Sequence, residues 1–440
     1  MISTKFDWTK GRPANRNFTS SAVENLLNKS QAIINDDDLY RLFSNIFPNT
    51  LDTTVFYYFT ENEHDTYVVT GDIDAMWLRD SSAQVWPYLP LASNDKPLQN
   101  LIAGVINRQA RYIRLDPYAN AFNFAAYGSI WEDDLTKMIP ELHERKWGID
   151  SLCYHIRLVY NYWQQTKDAS IFTKNWLETA RAIYKTFRQM QLLDGEYHYT
   201  FARNTTVATD TLSNGGHGNP VNPVGLIASA FRPSDDATTL QFLVPANFFA
   251  VTSLYQIAEI ARRIYNEQVF AANCEHLAME VDQALHEYAI VKHRKFGEIF
   301  AYEVDGFGGQ ILQDDANIPS LIALPYLGCI DVNNDIYQNT RNFILSRDNP
   351  WYFWGSQISG IGSIHTGVNR VWPMALAMQA LTSINKAEIL QCIWQISKSH
   401  NDTYFIHEAI NKDDASDYSR PWFAWANSLF AELIIKYYKL

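Results

Sequence analysis

The sequence predicts an all-α fold, a toroid of paired helices with its functional loops at one end. Two observations predict it: apolar residues recur at helical spacing in six segments, and strand-like alternation is rare and short. The length of 440 residues agrees, because about twelve helices would then average roughly 37 residues each with their loops. The periodicity predicts a mainly helical chain, and the helix number favours a toroid.

The helical periodicity is clearest in segment 251–265, where Val251, Leu254 and Ala258 fall on one face. The same spacing predicts helices over 154–166, 176–192, 276–289, 371–386 and 423–438. Alternation typical of strands is clearest over 65–70 and 196–201.

Long segments rich in Gly, Asp, Asn and Pro separate the predicted helices. They cover residues 208–236, 303–319, 355–370 and 407–421. Loops of this length are uncommon unless they have a function, and loops at one end of a toroid build a pocket. No linker, charge run or fixed-period repeat divides the chain. We therefore expect one catalytic domain over residues 1–440, with an N-terminal extension of about residues 1–35.

Charge and composition restrict the possible partners. Lys and Arg number 36 against 48 Asp and Glu, which gives a formal net charge of −12. A field of this sign repels phosphate backbones and anionic membranes, so we expect neither nucleic acid nor a membrane as partner. Aromatic residues make up 14% of the chain, and their flat faces beside many carboxylates suit a neutral, polyhydroxylated ligand. A large aromatic core explains the same composition equally well.

Targeting signals and cysteine spacing predict the compartment. The N-terminus, MISTKFDWTKGRP, has no apolar stretch or cleavage site typical of a signal peptide, and no run approaches 18 apolar residues. The cysteines stand far apart without a CxxC pair, which predicts buried free thiols. They are Cys153, Cys274, Cys329 and Cys392. We therefore expect a cytoplasmic protein.

Short catalytic signatures are absent from the sequence. The Asp-Gly-Phe-Gly-Gly segment 305–309 lacks the spacing of a phosphate-binding loop, and there is no GxSxG or HExxH string. Lone histidines such as His217, His365 and His407 more often form hydrogen bonds than ligate zinc. The sequence thus predicts no cofactor and no metal, and it leaves carboxylates as the reactive groups.

Carboxylates concentrate beside aromatic residues in four polar segments, 70–90, 131–151, 208–236 and 407–425. Each segment alone is explained well by a solvated loop or a helix cap. Four together favour a glycan pocket, because sugar rings stack on indole and phenyl faces while Asp, Asn and Arg bind hydroxyl groups.

The same segments carry a family resemblance. From about residue 40 to the C-terminus, the chain resembles glycoside hydrolase family 125 through TGDIDAMWLRDSSAQVWPYL, ERKWGIDSLCY, DTLSNGGHGNPVNP, FRPSDDA, GIGSIHT and HEAINKDD…SRPWFAWANSLF. The resemblance implies an (α/α)6 toroid and an exo-acting α-1,6-mannosidase that works with inversion and without a metal. Its substrate is then a mannose-containing oligosaccharide or N-glycan fragment.

The resemblance also implies roles for individual residues. The general acid of the RPSDD string corresponds to Asp235, with the adjacent Asp236 as the alternative, and the general base of the His-Glu string corresponds to Glu408. The charge of Asp236 is expected to raise the pKa of Asp235. Residues expected around the terminal sugar are Arg79, Asp80, Asp150, His217, Asn219 and His365, with Trp77 and Trp422 as apolar faces.

Two positions depart from the family pattern, Asp74 and the Ala409-Ile410 pair, and neither is a proposed catalytic carboxylate. The remaining alternatives are another sugar-active enzyme on the same toroid, an epimerase or a phosphorylase, and a non-catalytic glycan-binding protein. The presence of both Asp235 and Glu408 favours the hydrolase, because a binding protein need not retain the pair.

Overall fold

The computed structural model describes residues 11–440. Residues 1–10 lie outside the described residues. They include the start of the predicted N-terminal extension and most of the segment MISTKFDWTKGRP, for which no signal peptide is expected. The rest of that extension contains helix α1 (Ser21–Ser30), which buries Val23, Leu26 and Leu27 in the main apolar core. This helix is therefore packed as part of the folded protein.

Twelve α-helices account for most of the regular structure in residues 11–440. After α1 they are α2 (Asp37–Ile46), α3 (Leu78–Val85), α4 (Lys96–Leu115), α5 (Ile149–Thr166), α6 (Lys174–Met190), α7 (Val244–Arg263), α8 (Gln268–Tyr288), α9 (Asp335–Ile344), α10 (Pro373–Leu381), α11 (Lys386–Ser397) and α12 (Ala424–Tyr438). The helices predicted over 154–166, 176–192, 251–265, 276–289 and 423–438 are confirmed as α5 to α8 and α12.

The helix predicted over 371–386 is wrong in its extent. Helix α10 ends at Leu381, and α11 starts only at Lys386, where the Asn385 side chain accepts a hydrogen bond from the Ala387 amide. An Asn in this position caps the start of a new helix. The apolar periodicity thus runs across a break between two helices.

The helices form two layers. Helices α3, α5, α7, α10 and α12 are buried along most of their length. In this inner ring α3 packs against α5 and α12, α5 against α7, and α10 against α12. Outer helices cover the ring, with α4 against α5, α6 and α8 against α7, and α11 against α10. An inner helix has neighbours on every side, which explains the apolar run PMALAMQAL of α10.

Short strands lie in the connections of the described chain. They are β1 (Val55–Thr60), β2 (Glu63–Val68), β3 (Met76–Trp77), β4 (Ala121–Phe122), β5 (Leu142–Glu144), β6 (Phe242–Leu243), β7 (Ile290–His293), β8 (Gly297–Phe300), β9 (Glu303–Val304), β10 (Gln310–Ile311), β11 (Tyr352–Phe353), β12 (Gly360–Ile361), β13 (Arg370–Val371), β14 (Ala409–Asn411) and β15 (Asp414–Ser419). Strand β2 confirms most of the strand predicted over 65–70.

The strand predicted over 196–201 is wrong. This segment forms no ladder and only borders an isolated bridge between Ala202 and Leu135. The Tyr199 side chain, which supplied part of the alternation, is buried and donates a hydrogen bond to the Arg145 carbonyl at 2.7 Å.

Three small antiparallel sheets, β3-β4-β5, β6-β9-β10 and β13-β14-β15, lie in the connections between helices, and the last two include strands from the predicted loops 303–319 and 407–421. They also place polar residues at one end of the inner ring. Trp77 ends β3, Glu144 ends β5, and Glu408 directly precedes β14.

The cysteines are free thiols, as predicted. Cys153, Cys274 and Cys392 are buried, whereas Cys329 is only half-buried. Within residues 11–440, no helix combines the length and the apolar character needed to cross a membrane.

Candidate active site

A cavity of about 390 Å³ lies where inner helices begin. Trp77, Trp372 and Phe423 line it, and they directly precede α3, α10 and α12. Helix N-termini carry a partial positive charge, which favours carboxylates nearby. Each of the four polar segments contributes to the lining, through Arg79, Glu144, Asp235 and Glu408 among others.

Asp235 lies in a tight turn. The Arg232 amide donates to the Asp236 carbonyl at 2.7 Å, and the Asp235 amide donates to the Arg232 carbonyl at 2.9 Å. Asp235 adopts a left-handed conformation with φ of 63°, which Asp tolerates better than most residues. Its carboxylate accepts hydrogen bonds from Trp77 Nε1 at 3.0 Å and Asn120 Nδ2 at 3.1 Å.

The surroundings of Asp235 favour its protonated form. Burial raises the pKa of Asp235 and nearby Glu144 adds to the effect, while Arg79 and Lys146 oppose it. Asn120 Nδ2 also donates to Glu144 Oε2 at 2.8 Å, so one amide bridges the two carboxylates. The main like charge on Asp235 is therefore that of Glu144, and the expectation that Asp236 supplies it is wrong.

Asp236 does not line the cavity. Its Oδ2 atom pairs with His365 Nδ1 at 3.0 Å. Burial acts to raise the pKa of Asp236, but the hydrogen bond and charge of His365 hold it below its usual value. Burial likewise acts to lower the pKa of His365, but Asp236 raises it to about 9. The two side chains therefore form an ion pair at neutral pH.

Glu408 reaches the cavity from the start of β14, and its side chain is buried. Its Oε2 atom accepts a hydrogen bond from Ser419 Oγ at 2.9 Å, and Arg420 Nη1 lies 3.5 Å from Oε1. Arg420 is itself held by Asp72, with Nε 3.0 Å from Oδ1, and by the Thr70 carbonyl at 3.0 Å. With few short hydrogen bonds of its own, the Glu408 carboxylate retains the capacity to accept one from water.

Arg79 is buried among three carboxylates. It lies 3.4 Å from Asp80, 3.2 Å from Asp150 and 3.2 Å from Asp235. Arg79 Nε and Asp80 Oδ2 face each other at this distance of 3.4 Å without a hydrogen bond, and Asp150 Oδ1 is also buried without a hydrogen-bond partner. Buried polar atoms are ordinarily satisfied, so this cluster keeps hydrogen-bonding capacity that a hydroxylated ligand can use.

A second charged cluster borders the cavity, and the sequence reasoning assigned none of its members to the site. It consists of Glu144, Lys146, Arg203 and Asp210. Lys146 Nζ donates to Asp210 at 2.6 Å, and Arg203 Nη2 donates to Glu144 at 2.9 Å. Glu144 and Lys146 stand in the polar segment 131–151 and Asp210 stands in 208–236, whereas Arg203 stands outside every polar segment.

Four of the eight residues expected around the sugar line the cavity, namely Trp77, Arg79, Asp80 and His365. His217 and Asn219 do not line it. Their backbone carbonyls accept hydrogen bonds from the Gln241 side chain, and the side-chain amide of Asn219 donates to the Thr239 carbonyl. Both belong to the loop beside the site.

Asp150 and Trp422 also lie outside the cavity lining. Asp150 pairs with Arg79 Nη1 at 3.2 Å, and burial raises the pKa of Asp150 to about 6. The Trp422 indole donates to Asn49 Oδ1 at 2.7 Å. The apolar faces expected from Trp422 are supplied instead by Trp372 and Trp425, which line the cavity.

The described residues contain no group of three or more His, Cys, Asp and Glu side chains arranged to hold a metal ion. What the site offers is acid–base chemistry. A carboxyl group with a raised pKa and a second carboxylate face one cavity, beside a buried arginine and aromatic rings.

A ring of paired helices whose connections bring two carboxylates to one aromatic-lined cavity is an arrangement suited to the acid–base hydrolysis of glycosides. The chain belongs to glycoside hydrolase family 125, the metal-independent α-mannosidases, whose family model matches residues 36–435. The resemblance seen in the sequence is confirmed.

Known proteins similar to this chain agree with that membership. A Streptococcus pneumoniae member of the metal-independent α-mannosidases, solved in a non-productive complex with α-1,6-mannobiose, is 37% identical with a TM-score of 0.93, over 96% of this chain and 100% of that one. The Schizosaccharomyces pombe meiotically up-regulated gene 157 protein is 41% identical over 445 residues, 96% of this chain and 87% of that protein.

A more distant structure shares the fold alone. A bacterial glucoamylase complexed with acarbose is 10% identical with a TM-score of 0.62, over 94% of this chain and 57% of that one. The predicted (α/α)6 toroid is confirmed.

Proposed function

We propose that this protein is an exo-acting α-1,6-mannosidase, which removes the non-reducing terminal mannose of an oligosaccharide or N-glycan fragment with inversion. The observation that carries the proposal is the presence of Asp235, with its raised pKa, and Glu408 in one cavity of about 390 Å³. The binding of α-1,6-mannobiose by the Streptococcus pneumoniae relative supports the same linkage.

Asp235 is the proposed general acid. Burial and Glu144 favour its protonated form, so the carboxyl group can give its proton to the glycosidic oxygen as the bond to the anomeric carbon breaks. Hydrogen bonds from Trp77 and Asn120 orient it. The ion pair between Asp236 and His365 supports Asp235 over Asp236, because a carboxylate held ionised is a poor proton donor.

Glu408 is the proposed general base. Ser419 and Arg420 hold its carboxylate, which takes a proton from water as the water oxygen bonds to the anomeric carbon. Attack on the face opposite the leaving oxygen inverts the configuration, and it requires the two carboxyl groups to stand roughly 6.5–9.5 Å apart.

We assign recognition of the terminal mannose to Arg79, Asp80 and His365, with Trp77 as an apolar face. The buried atoms Arg79 Nε and Asp80 Oδ2 have no hydrogen bond and only a 3.4 Å ion-pair contact with each other, which supports this assignment. Hydroxyl groups of the sugar would satisfy them, which gives binding energy to the correct sugar alone.

Alanine substitutions test the catalytic roles. Asp235→Ala and Glu408→Ala should each lower kcat on α-1,6-mannobiose by about 10²–10⁴-fold with little change in KM, since general acid and base catalysis act in the transition state. Asp236→Ala is the matched control and should retain far more activity. Near wild-type activity in Asp235→Ala would move the acid role to Asp236.

An activated substrate separates the acid from the base. Fluoride leaves with little proton donation, so on α-mannosyl fluoride Asp235→Ala should recover much of its rate while Glu408→Ala stays slow. Proton NMR during early turnover should show β-mannose first. If α-mannose appears first, the enzyme retains configuration and Glu408 is not the base.

We also propose that the reaction needs no metal, in keeping with the metal-independent family to which the chain belongs. Proton donation by Asp235 requires no Lewis acid. Activity should therefore survive exhaustive treatment with EDTA, and a loss that calcium or zinc restores would contradict the proposal.

We further propose that the protein works in the cytoplasm as one catalytic unit. The free cysteines support a reducing compartment, and one apolar core containing both Val23 and Ile434 supports a single unit. Cell fractionation tests the location: the mannosidase activity should follow cytosolic markers, and recovery with membranes or in the medium would contradict it.

A further inference from the structure

A second cavity of about 550 Å³ lies apart from the active site. One side is the C-terminal part of α4, and the other is the connection between β4 and β5. Its lining includes Arg108, Arg111, Arg114, Phe124 and Glu141, and we call it the α4 groove.

The α4 groove is highly charged but close to neutral. Asp65 pairs with both Arg108 and Arg111, at 2.6 Å and 3.0 Å. Arg114 lies 4.0 Å from Glu178, and the groove also contains the Glu141 carboxylate. Asp65 and Glu178 lie outside the lining but pair with these arginines, so three guanidinium groups stand beside three carboxylates and the attraction for an anion is weakened. Alternating donors and acceptors of this kind suit a neutral, polyhydroxylated ligand.

Exposed aromatic rings border the α4 groove. Phe124 is 43% exposed, and its ring packs against Tyr58 at 5.6 Å and Tyr67 at 5.4 Å. Tyr127 is 59% exposed, and its hydroxyl accepts a hydrogen bond from the Phe124 amide at 3.2 Å. Fixed, exposed aromatic faces beside polar groups are the surface on which sugar rings stack.

One connection joins the α4 groove to the active site. Residues 123–141 run from β4 to β5, and Ile130 and Trp131 in this connection line the catalytic cavity. Asn123 Nδ2 donates to two carbonyls of the connection at 2.9 Å each, which holds it together. Ala125 in the groove is five residues from Ile130, a separation of at most about 17 Å in extended chain.

We propose that the α4 groove is a second mannoside-binding site, which holds another arm or the inner sugars of an oligosaccharide whose terminal mannose occupies the catalytic cavity. This inference rests on the proposed function. The aromatic faces, the balanced charge and the short connection to the catalytic cavity carry it. The groove then adds affinity for larger mannosides and none for a disaccharide, which fills only the catalytic cavity.

Steady-state kinetics on two substrates tests the proposal. Phe124→Ala and Arg114→Gln should each raise KM for a branched α-1,3/α-1,6-mannopentaose by about 3- to 10-fold, the value of one aromatic or polar contact. The KM for α-1,6-mannobiose should not change. Phe59→Ala is the matched control, since Phe59 is 57% exposed on the neighbouring β1–β2 hairpin but outside the groove. It should leave both values unchanged.

Two outcomes overturn the proposal: unchanged KM values for the pentaose in both variants, or equal changes for both substrates, which would indicate general damage. Inhibition of pentaose cleavage by inorganic phosphate, abolished in Arg114→Gln, would make the groove an anion site instead. Failure of the proposed function is distinguishable, because the wild type would then release no mannose from mannobiose. In that case saturation-transfer NMR with the pentaose would still test binding in the groove. A saturation-transfer signal of the pentaose that is lost only in the groove variants would support the second binding site.

Discussion

At the scale of single residues, the turn at 232–236 sends two neighbouring aspartates into different surroundings. Asp235 meets Trp77, Asn120 and a nearby glutamate inside the cavity, whereas Asp236 meets His365. The positions of the two aspartates in the chain do not show which one has a raised pKa, but their hydrogen-bond partners do.

The His365–Asp236 pair leads to a pH-dependent prediction. Because Asp236 raises the pKa of His365 to about 9, the pair adds fully to the free energy of unfolding from the acidic range in which Asp236 becomes protonated up to about pH 6.5, the ordinary histidine pKa. The contribution is lost as the pH rises from there through about 9. NMR titration of the His365 ring should show a midpoint near 9, and a lower one in Asp236→Asn. Equal midpoints in both proteins would contradict the pairing.

Sequence reasoning found the residues of the site that stand in distinctive strings, such as Asp235, Glu408 and Arg79. It missed Asn120, which donates a hydrogen bond to Asp235, and Arg203, which lines the cavity. Both stand outside the polar segments and come to the site only because distant parts of the chain pack together. It also placed Trp422 in the cavity from its position in a matching string, although the indole points to Asn49. A string reveals which residues matter and does not reveal where each side chain points.

At the scale of elements, the contact between α4 and β2 depends on a glycine. A Cβ atom added at Gly104 would lie 2.9 Å from the backbone of Asp65 and of Thr66. Overpacking should cost about 1–3 kcal/mol and alanine gains about 1 kcal/mol in a helix, so Gly104→Ala should lower the free energy of unfolding by up to about 2 kcal/mol. Thermal unfolding measures it.

Asn100→Ala in the same helix is the control, since it changes helix propensity without entering that contact. It should leave the midpoint unchanged or raise it slightly. A Gly104→Ala protein with a raised midpoint would show that α4 can move away from β2 at no cost.

Five helices, α5 to α8 and α12, were predictable because each carries its own 3.6-residue apolar period, whereas α1 to α4 and α9 were not predicted from the sequence. The short strands were not, because their partners are far away in sequence: β9 pairs with β6, and β13 pairs with β14. Strands of two residues carry no period at all. Such pairings are set by the packing of the barrel, and local sequence does not encode them.

At the scale of the whole molecule, α1 belongs to the fold. It buries Val23, Leu26 and Leu27, and Ser20 before it donates to Asp95 at 2.7 Å. Apolar side chains of this kind contribute about 1.5–3 kcal/mol each, a large share of a total stability of about 5–15 kcal/mol.

Removal of residues 1–35 should therefore give an unfolded or aggregating protein, whereas removal of residues 1–10 alone takes away none of these contacts. Circular dichroism and size-exclusion chromatography of the two truncated proteins measure this difference. A folded, active protein lacking residues 1–35 would show instead that α1 is a dispensable extension.

The closure of the inner ring has a consequence for biosynthesis. Helix α12 packs against α2, α3 and α10. Helices that are translated early therefore lack a packing partner until a helix near the end of the sequence has been translated. Until α12 leaves the ribosome, the apolar faces of α3 and α10 that it covers stay exposed. Glu408 and Arg420 are also made shortly before α12. The nascent chain thus has neither a closed barrel nor a complete site until translation reaches this helix, and until then its exposed apolar faces favour aggregation.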